Sequence, residues 1–135
     1  MSVFVPHVPA PALDDLDRER KFRQAAFVYL HLGVLYEAAV WVAWREGIVT
    51  LGAGIVLAWL VAGAAIVAVI FWALWSKRLA WVARAAWLVG LLRLPALIEG
   101  AFFEGAVQLP AGFYLTALIV VLVNLAFLAR AGWDL

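Results

Sequence analysis

Four apolar runs, residues 25–44, 48–75, 79–101 and 111–129, constrain this chain more than any other feature; two short links and one longer one separate them. A helix rises about 1.5 Å per residue, so a run of about 20 residues crosses the hydrocarbon of a bilayer. Each run is long enough, and the second is long enough to cross with tilt. Of the 135 residues, 68% are hydrophobic and 14% charged, and the mean hydropathy is +1.03. A water-soluble globule of this length leaves much of its surface exposed and cannot hide that much apolar area. Lipid removes the difficulty by acting as the solvent. The expectation is one all-α integral membrane domain, 1–135, with four transmembrane helices.

The links Arg45-Glu46-Gly47 and Ser76-Lys77-Arg78 are short, and the third passes through Gly105 and Pro110. Short links force neighbouring helices to run antiparallel, which predicts an up-down-up-down bundle. Pro6, Pro9 and Pro11 predict an extended apolar arm over 1–13. Asp14 and Asp15 then offer an N-cap to a charged juxtamembrane helix over 14–24. That helix has acid-before-base pairs at helical spacing, Asp14/Arg18, Asp17/Lys21 and Glu19/Arg23, and should lead straight into the first span.

Basic residues set the expected orientation. Arg18, Arg20, Lys21 and Arg23 precede the first span, Lys77 and Arg78 lie between the second and third, and Arg130 follows the fourth. Arg45 stands alone on the opposite side. The positive-inside bias predicts cytoplasmic termini, and with no cleavable leader apparent the expected location is a bacterial inner membrane. Trp41, Trp44, Trp72, Trp75, Trp81 and Trp133 fall near the ends of apolar runs, where amphipathic rings favour the headgroup boundary.

An ionisable group in hydrocarbon needs a reason. Glu37 of the first span and Arg93 of the third fall at similar depth, and an ion pair between them is expected. The same two residues are the natural site for a transported ion or substrate. His31 and Asn124 also fall at one depth and form a second expected polar pair. Arg84 lies nearer the boundary and is expected to snorkel without a partner. Pro95, two residues beyond Arg93, should bend the third helix. Glu99 and Glu104 lie toward the opposite surface and are expected to form a solvated helix end. In the second span Gly54, Ala58 and Ala62 repeat every four residues, a small-residue stripe that lets another helix approach within the bundle or from a second subunit.

Other chemistry lacks its parts. There are no cysteines, which excludes disulfides, thiolate metal sites and cysteine nucleophiles. The two histidines, His7 and His31, offer no metal-ligand spacing; axial haem ligation would need His31 from two copies. Thr50, Ser76 and Thr116 have no base within helical reach. A formal charge of +1 gives no reason to expect nucleic acid. No cofactor is implied and no enzyme is expected.

Tyr36-Glu37, a lone glutamate in the first of four spans, is similar to the pattern of small multidrug-resistance transporters. The polar N-terminal extension and the third-span arginines depart from that pattern, and the chain is not assigned to that family. Two functions follow. The first is a non-catalytic subunit that anchors, braces or oligomerises within a membrane complex. The second is a small oligomeric transporter or channel using Glu37 and Arg93. A packed, dry wall around those residues favours the former, and a cavity open to one side favours the latter.

Overall fold

A computed structural model describes residues 10–102 and 111–135, with side chains from 14–102 and 112–135. The described residues are helical and contain no strand: α1 (Ala10–Arg45), α2 (Ala53–Trp72), a π-helical turn (Ala73–Lys77), α3 (Ala80–Phe102) and α4 (Ala111–Trp133). Four of these stretches are long and apolar enough to span a membrane.

Several limits differ from expectation. α1 is one helix of 36 residues that already includes 10–13, so those residues are not extended and Asp14 is not its cap. Proline is tolerated in a first helical turn, where its missing N–H has no partner to lose, and Pro11 sits there. Residues 1–9 of the expected arm, together with Glu104, lie outside the described residues. The second helix starts at Ala53 rather than Ile48. Gly47 takes a positive φ of 74°, and the Ile48 and Val49 amides both donate to the Ala43 carbonyl, so the chain folds back on the end of α1 before α2 begins. α3 runs unbroken through Pro95.

The helices meet most tightly at one end. Phe22, Ala25 and Ala26 of α1, Ala73 and Leu74 of the π turn, Val82 and Ala83 of α3, and Leu128 and Ala131 of α4 form one buried core. Small residues from four elements let the backbones approach, while Phe22, Leu74 and Leu128 fill the space between them. Ion pairs close this end outside the apolar layer. The Lys21 ammonium is buried and donates to Asp134 at 2.9 Å and lies 3.1 Å from Asp17. Glu19 pairs with Arg23 and, at 3.7 Å, with Arg78. The Arg23 guanidinium also lies 5.2 Å from the Trp75 ring.

Beyond Leu32 the packing thins. A smaller cluster, Leu32 with Val121 and Leu125, joins α1 to α4. α4 packs on both α3 and α1, whereas α2 packs chiefly on α1 and the π turn that continues it. Only 6% of the most apolar stretch of α2 is buried, against 28% for α4, so α2 stands at the edge. A cleft between α2 and α3 results, with α1 and α4 as its floor.

The clasp at Lys21 fixes a pH dependence. Its hydrogen bond to Asp134, then that to Asp17, raises the Lys21 pKa above its usual 10.5, while the bond from Lys21 lowers Asp17 below its usual 3.8. A raised pKa contributes stability that is complete below 10.5 and is lost as pH climbs through the folded value; a lowered carboxyl contributes above 3.8 and loses it on acidification. The contribution of this clasp to thermal stability should therefore be constant between these limits and fall outside them. Lys21→Met should blunt both edges; edges of unchanged steepness would contradict this assignment.

Candidate functional site

Three cavities meet at Arg93. The largest, about 560 Å³, runs between α1 and α2 and is lined by Tyr29, Gly33, Tyr36, Glu37, Trp59 and Gly63 among others, with Arg93 reaching across from α3. A second, about 450 Å³, occupies the cleft between α2 and α3 from Arg93 down to Trp72 and Trp81, over Asn124. A third, about 420 Å³, continues among α1, α3 and α4 toward Phe113 and Tyr114. Leu32 and Arg93 line all three.

The α1 residues that floor this space, Tyr29, Leu32, Gly33 and Tyr36, recur at helical spacing, and so share one face. Gly33 and Gly63 bring α1 and α2 together. A Cβ at Gly33 would lie 2.7 Å from both Val67 methyl carbons, and one at Gly63 would collide with the Glu37 carboxylate. The carboxylate of Glu37 thus turns toward the α2 backbone at Gly63, and the side chain is half-buried.

Arg93 is placed differently. Its guanidinium lies 5.1 Å from the centre of the Tyr36 ring, and the residue is exposed in the cleft. Such a contact contributes about 0.5–2 kcal/mol, which offsets part of the cost of a cation at this depth. No carboxylate among the described residues lies within 4 Å of it. Glu37 and Arg93 therefore share a cavity at matching depth without ion-pair contact. The Arg93 guanidinium lies over Tyr36 while the Glu37 carboxylate turns to Gly63 of α2, so equal depth does not bring the two charged groups together.

The second expected pair does not form. His31 is exposed, stacks edge-on with Phe27 at 4.6 Å, and its Nδ1–H donates to the Phe27 carbonyl at 2.8 Å. Its neighbour Leu32 is the residue facing α4, and one residue along a helix rotates the side chain by about 100°. Asn124, only 1% exposed, lines the cleft, and its Oδ1 has no hydrogen-bond partner. Arg84 does have a partner: its Nε–H donates to the Gly132 carbonyl at 2.8 Å, and its guanidinium lies 5.7 Å from the Trp133 ring. It satisfies one of the free carbonyls that every helix C-terminus leaves, a role visible only once α3 and α4 are side by side.

The small-residue stripe of α2 is exposed. Gly54 has open space around it, and Ala58 and Ala62 edge the largest cavity instead of a helix. Glycines that do carry helix contact include Gly33 and Gly63 between α1 and α2, and Gly90 and Gly100, on which Leu125 and Tyr114 of α4 rest. Their signal in the sequence was a glycine opposite a bulky residue on another helix, which spacing within one helix does not reveal. Glu99 is exposed, and no group of three acidic or histidine side chains with metal-binding geometry occurs among the described residues.

The fold and this polar layer define a small all-helical membrane protein with four apolar helices. The chain matches no family model, and no curated protein or solved structure is significantly similar to it.

The cavity wall makes a direct prediction. Val67 is β-branched and holds one rotamer in a helix, so it cannot move aside for a methyl group. Gly33→Ala should destabilise by about 1–3 kcal/mol in detergent unfolding, and Val67→Ala should restore most of that in the double variant. A neutral Gly33→Ala would show that α1 and α2 are not held at this contact.

Proposed function

We propose that the protein is a non-catalytic integral membrane subunit that assembles with itself or within a larger membrane complex along the exposed face of α2. In this reading the four spans run up-down-up-down with both termini in the cytoplasm of a bacterial cell. The orientation is supported by the basic residues. Arg23, Arg78 and Arg130 meet Glu19 and Gln24 at the clasped end, away from Arg45.

One observation carries the proposal: α2, the most apolar helix, packs chiefly on α1 and leaves Gly54, Ala58 and Ala62 uncovered. Between helices in lipid there is no hydrophobic drive, so association depends on close van der Waals approach, which small residues permit. A neighbour crossing that stripe would also cover the mouth beside Trp59 and shield Arg93 and Glu37 from the acyl chains. On insertion scales a central arginine costs about 2.5–3.5 kcal/mol, so that shielding has a physical return.

The cavity around Glu37 and Arg93 favours a second reading, an oligomeric transporter. The wall is not packed, but it opens sideways between helices, past Ile55, Trp59 and Ile66, toward the bilayer. A water-filled route would need another copy to complete it.

The absence of cysteine makes the test clean. Ala58→Cys, oxidised in native membranes, should give a cross-linked product once a cysteine is also placed along the facing stripe of the neighbour or its copy. Val123→Cys, exposed on α4, should not. Equal cross-linking at the two positions, or none at Gly54→Cys, Ala58→Cys and Ala62→Cys in a self-assembly screen and no co-purifying subunit, would overturn the proposal. Proton- or cation-driven flux in liposomes that Glu37→Gln abolishes would establish the transporter instead.

A further inference from the structure

We infer that the cleft between α2 and α3 is a binding site for a lipid-soluble ligand whose head carries a hydroxyl beside a carbonyl or ionised oxygen. The inference goes beyond the assembly proposal and holds whether or not a neighbour closes the cleft.

The site is built from two polar groups in an otherwise apolar wall. Asn124 is 1% exposed and its Oδ1 accepts no hydrogen bond, although it lines a cavity of about 450 Å³. A buried acceptor left unmade costs about 1–3 kcal/mol. Such a residue is retained at low cost only if something donates to it. Arg93 lines the same cavity, and its guanidinium, which lies over the Tyr36 ring, has no carboxylate within 4 Å among the described residues. One group therefore needs a donor and the other an oxygen acceptor. A hydroxyl adjacent to a carbonyl or carboxylate supplies both from one head: its O–H donates to Asn124 Oδ1, and the neighbouring oxygen accepts from Arg93.

The rest of the cavity selects the body of the ligand. Ile66 and Val69 of α2 face Val89 and Trp81 of α3 across the cleft. α2 and α3 do not pack on one another there, so the cleft is open to acyl chains and a ligand enters from the bilayer. The volume lies within the usual range of about 300–1,000 Å³ for small-molecule sites. Two chemical sources share this head, a hydroxyquinone with an alkyl tail and an α-hydroxy fatty acid. A water molecule satisfies Asn124 as well, but it needs no apolar wall and no Arg93.

The test uses the full chain in lipid nanodiscs. A decyl hydroxynaphthoquinone is titrated against tryptophan fluorescence, because Trp72 and Trp81 line the cleft. α-Hydroxypalmitate is titrated separately by its shift of the unfolding temperature and by displacement of the quinone. At least one probe should bind saturably. Asn124→Leu and Arg93→Gln should each weaken that binding about tenfold or more, the equivalent of one lost hydrogen bond to a charged or buried partner. Asn124→Leu should at the same time unfold at an equal or higher temperature, since it removes an unmade acceptor without opening a cavity. Saturation by the quinone alone assigns a ring head, and saturation by the hydroxy acid alone assigns a carboxylate. Quenching that only tracks the amount of probe in the bilayer, together with no shift from the hydroxy acid, overturns the inference. So does binding unchanged in both variants.

Discussion

The structure depends on an imbalance in packing between its two ends. At one end Phe22, Leu74 and Leu128 sit among alanines from α1, α3 and α4, and all four spans are drawn together. The Lys21 ammonium, held between Asp17 and Asp134, ties the first part of α1 to the last residues of the chain just outside that core. Arg84 adds a third tie by donating to the Gly132 carbonyl. Nothing of comparable density holds α2 to α3 further along. In water such a gap would collapse, because exposed apolar walls are unfavourable there. In lipid the walls of Ile66, Val69 and Val89 are already solvated by hydrocarbon, and the gap persists.

That persistence changes the meaning of the polar residues at mid-depth. In a tightly packed four-helix bundle, a glutamate and an arginine at one level would meet and cancel. Here the two charged groups are directed to different partners. Glu37 lies against Gly63, Arg93 lies over Tyr36, and Asn124 keeps an unmade acceptor beneath the cleft. Arg93 thus shares one cavity with Glu37 and another with Asn124 without completing either, and the proposals for a covering neighbour and for a polar-headed ligand both follow from that arrangement.

Much of the fold was legible because its governing rule is one-dimensional. Lipid admits only long apolar helices, and runs such as 79–101 and 111–129 display their length directly. Depth follows the same rule, since a constant rise pairs Glu37 with Arg93 at one level and His31 with Asn124 at another. Azimuth does not. His31 and Leu32 differ by one residue and by about 100°, and only the position of Val121 and Leu125 on α4 decides which of them faces inward. The stripe Gly54, Ala58, Ala62 illustrates the same limit: its spacing is visible in the sequence, but the contact with α1 is made by Gly63 on a neighbouring face of the same helix. The start of α2 is not legible in the sequence, because Ile48 and Val49 are apolar while their amides are committed to the carbonyl of Ala43.

The most direct measurement of the central claim, that Glu37 and Arg93 are not a closed ion pair, is a double-variant cycle on unfolding free energy in lipid nanodiscs. Glu37→Gln, Arg93→Gln and the double variant are compared with the native chain. This account predicts that the two effects add to within about 0.5 kcal/mol, with neither single change costing the about 3–5 kcal/mol expected when one partner of a buried pair is removed. Two large single losses that largely disappear in the double variant would show a direct pair, and would contradict the open polar floor on which the account rests.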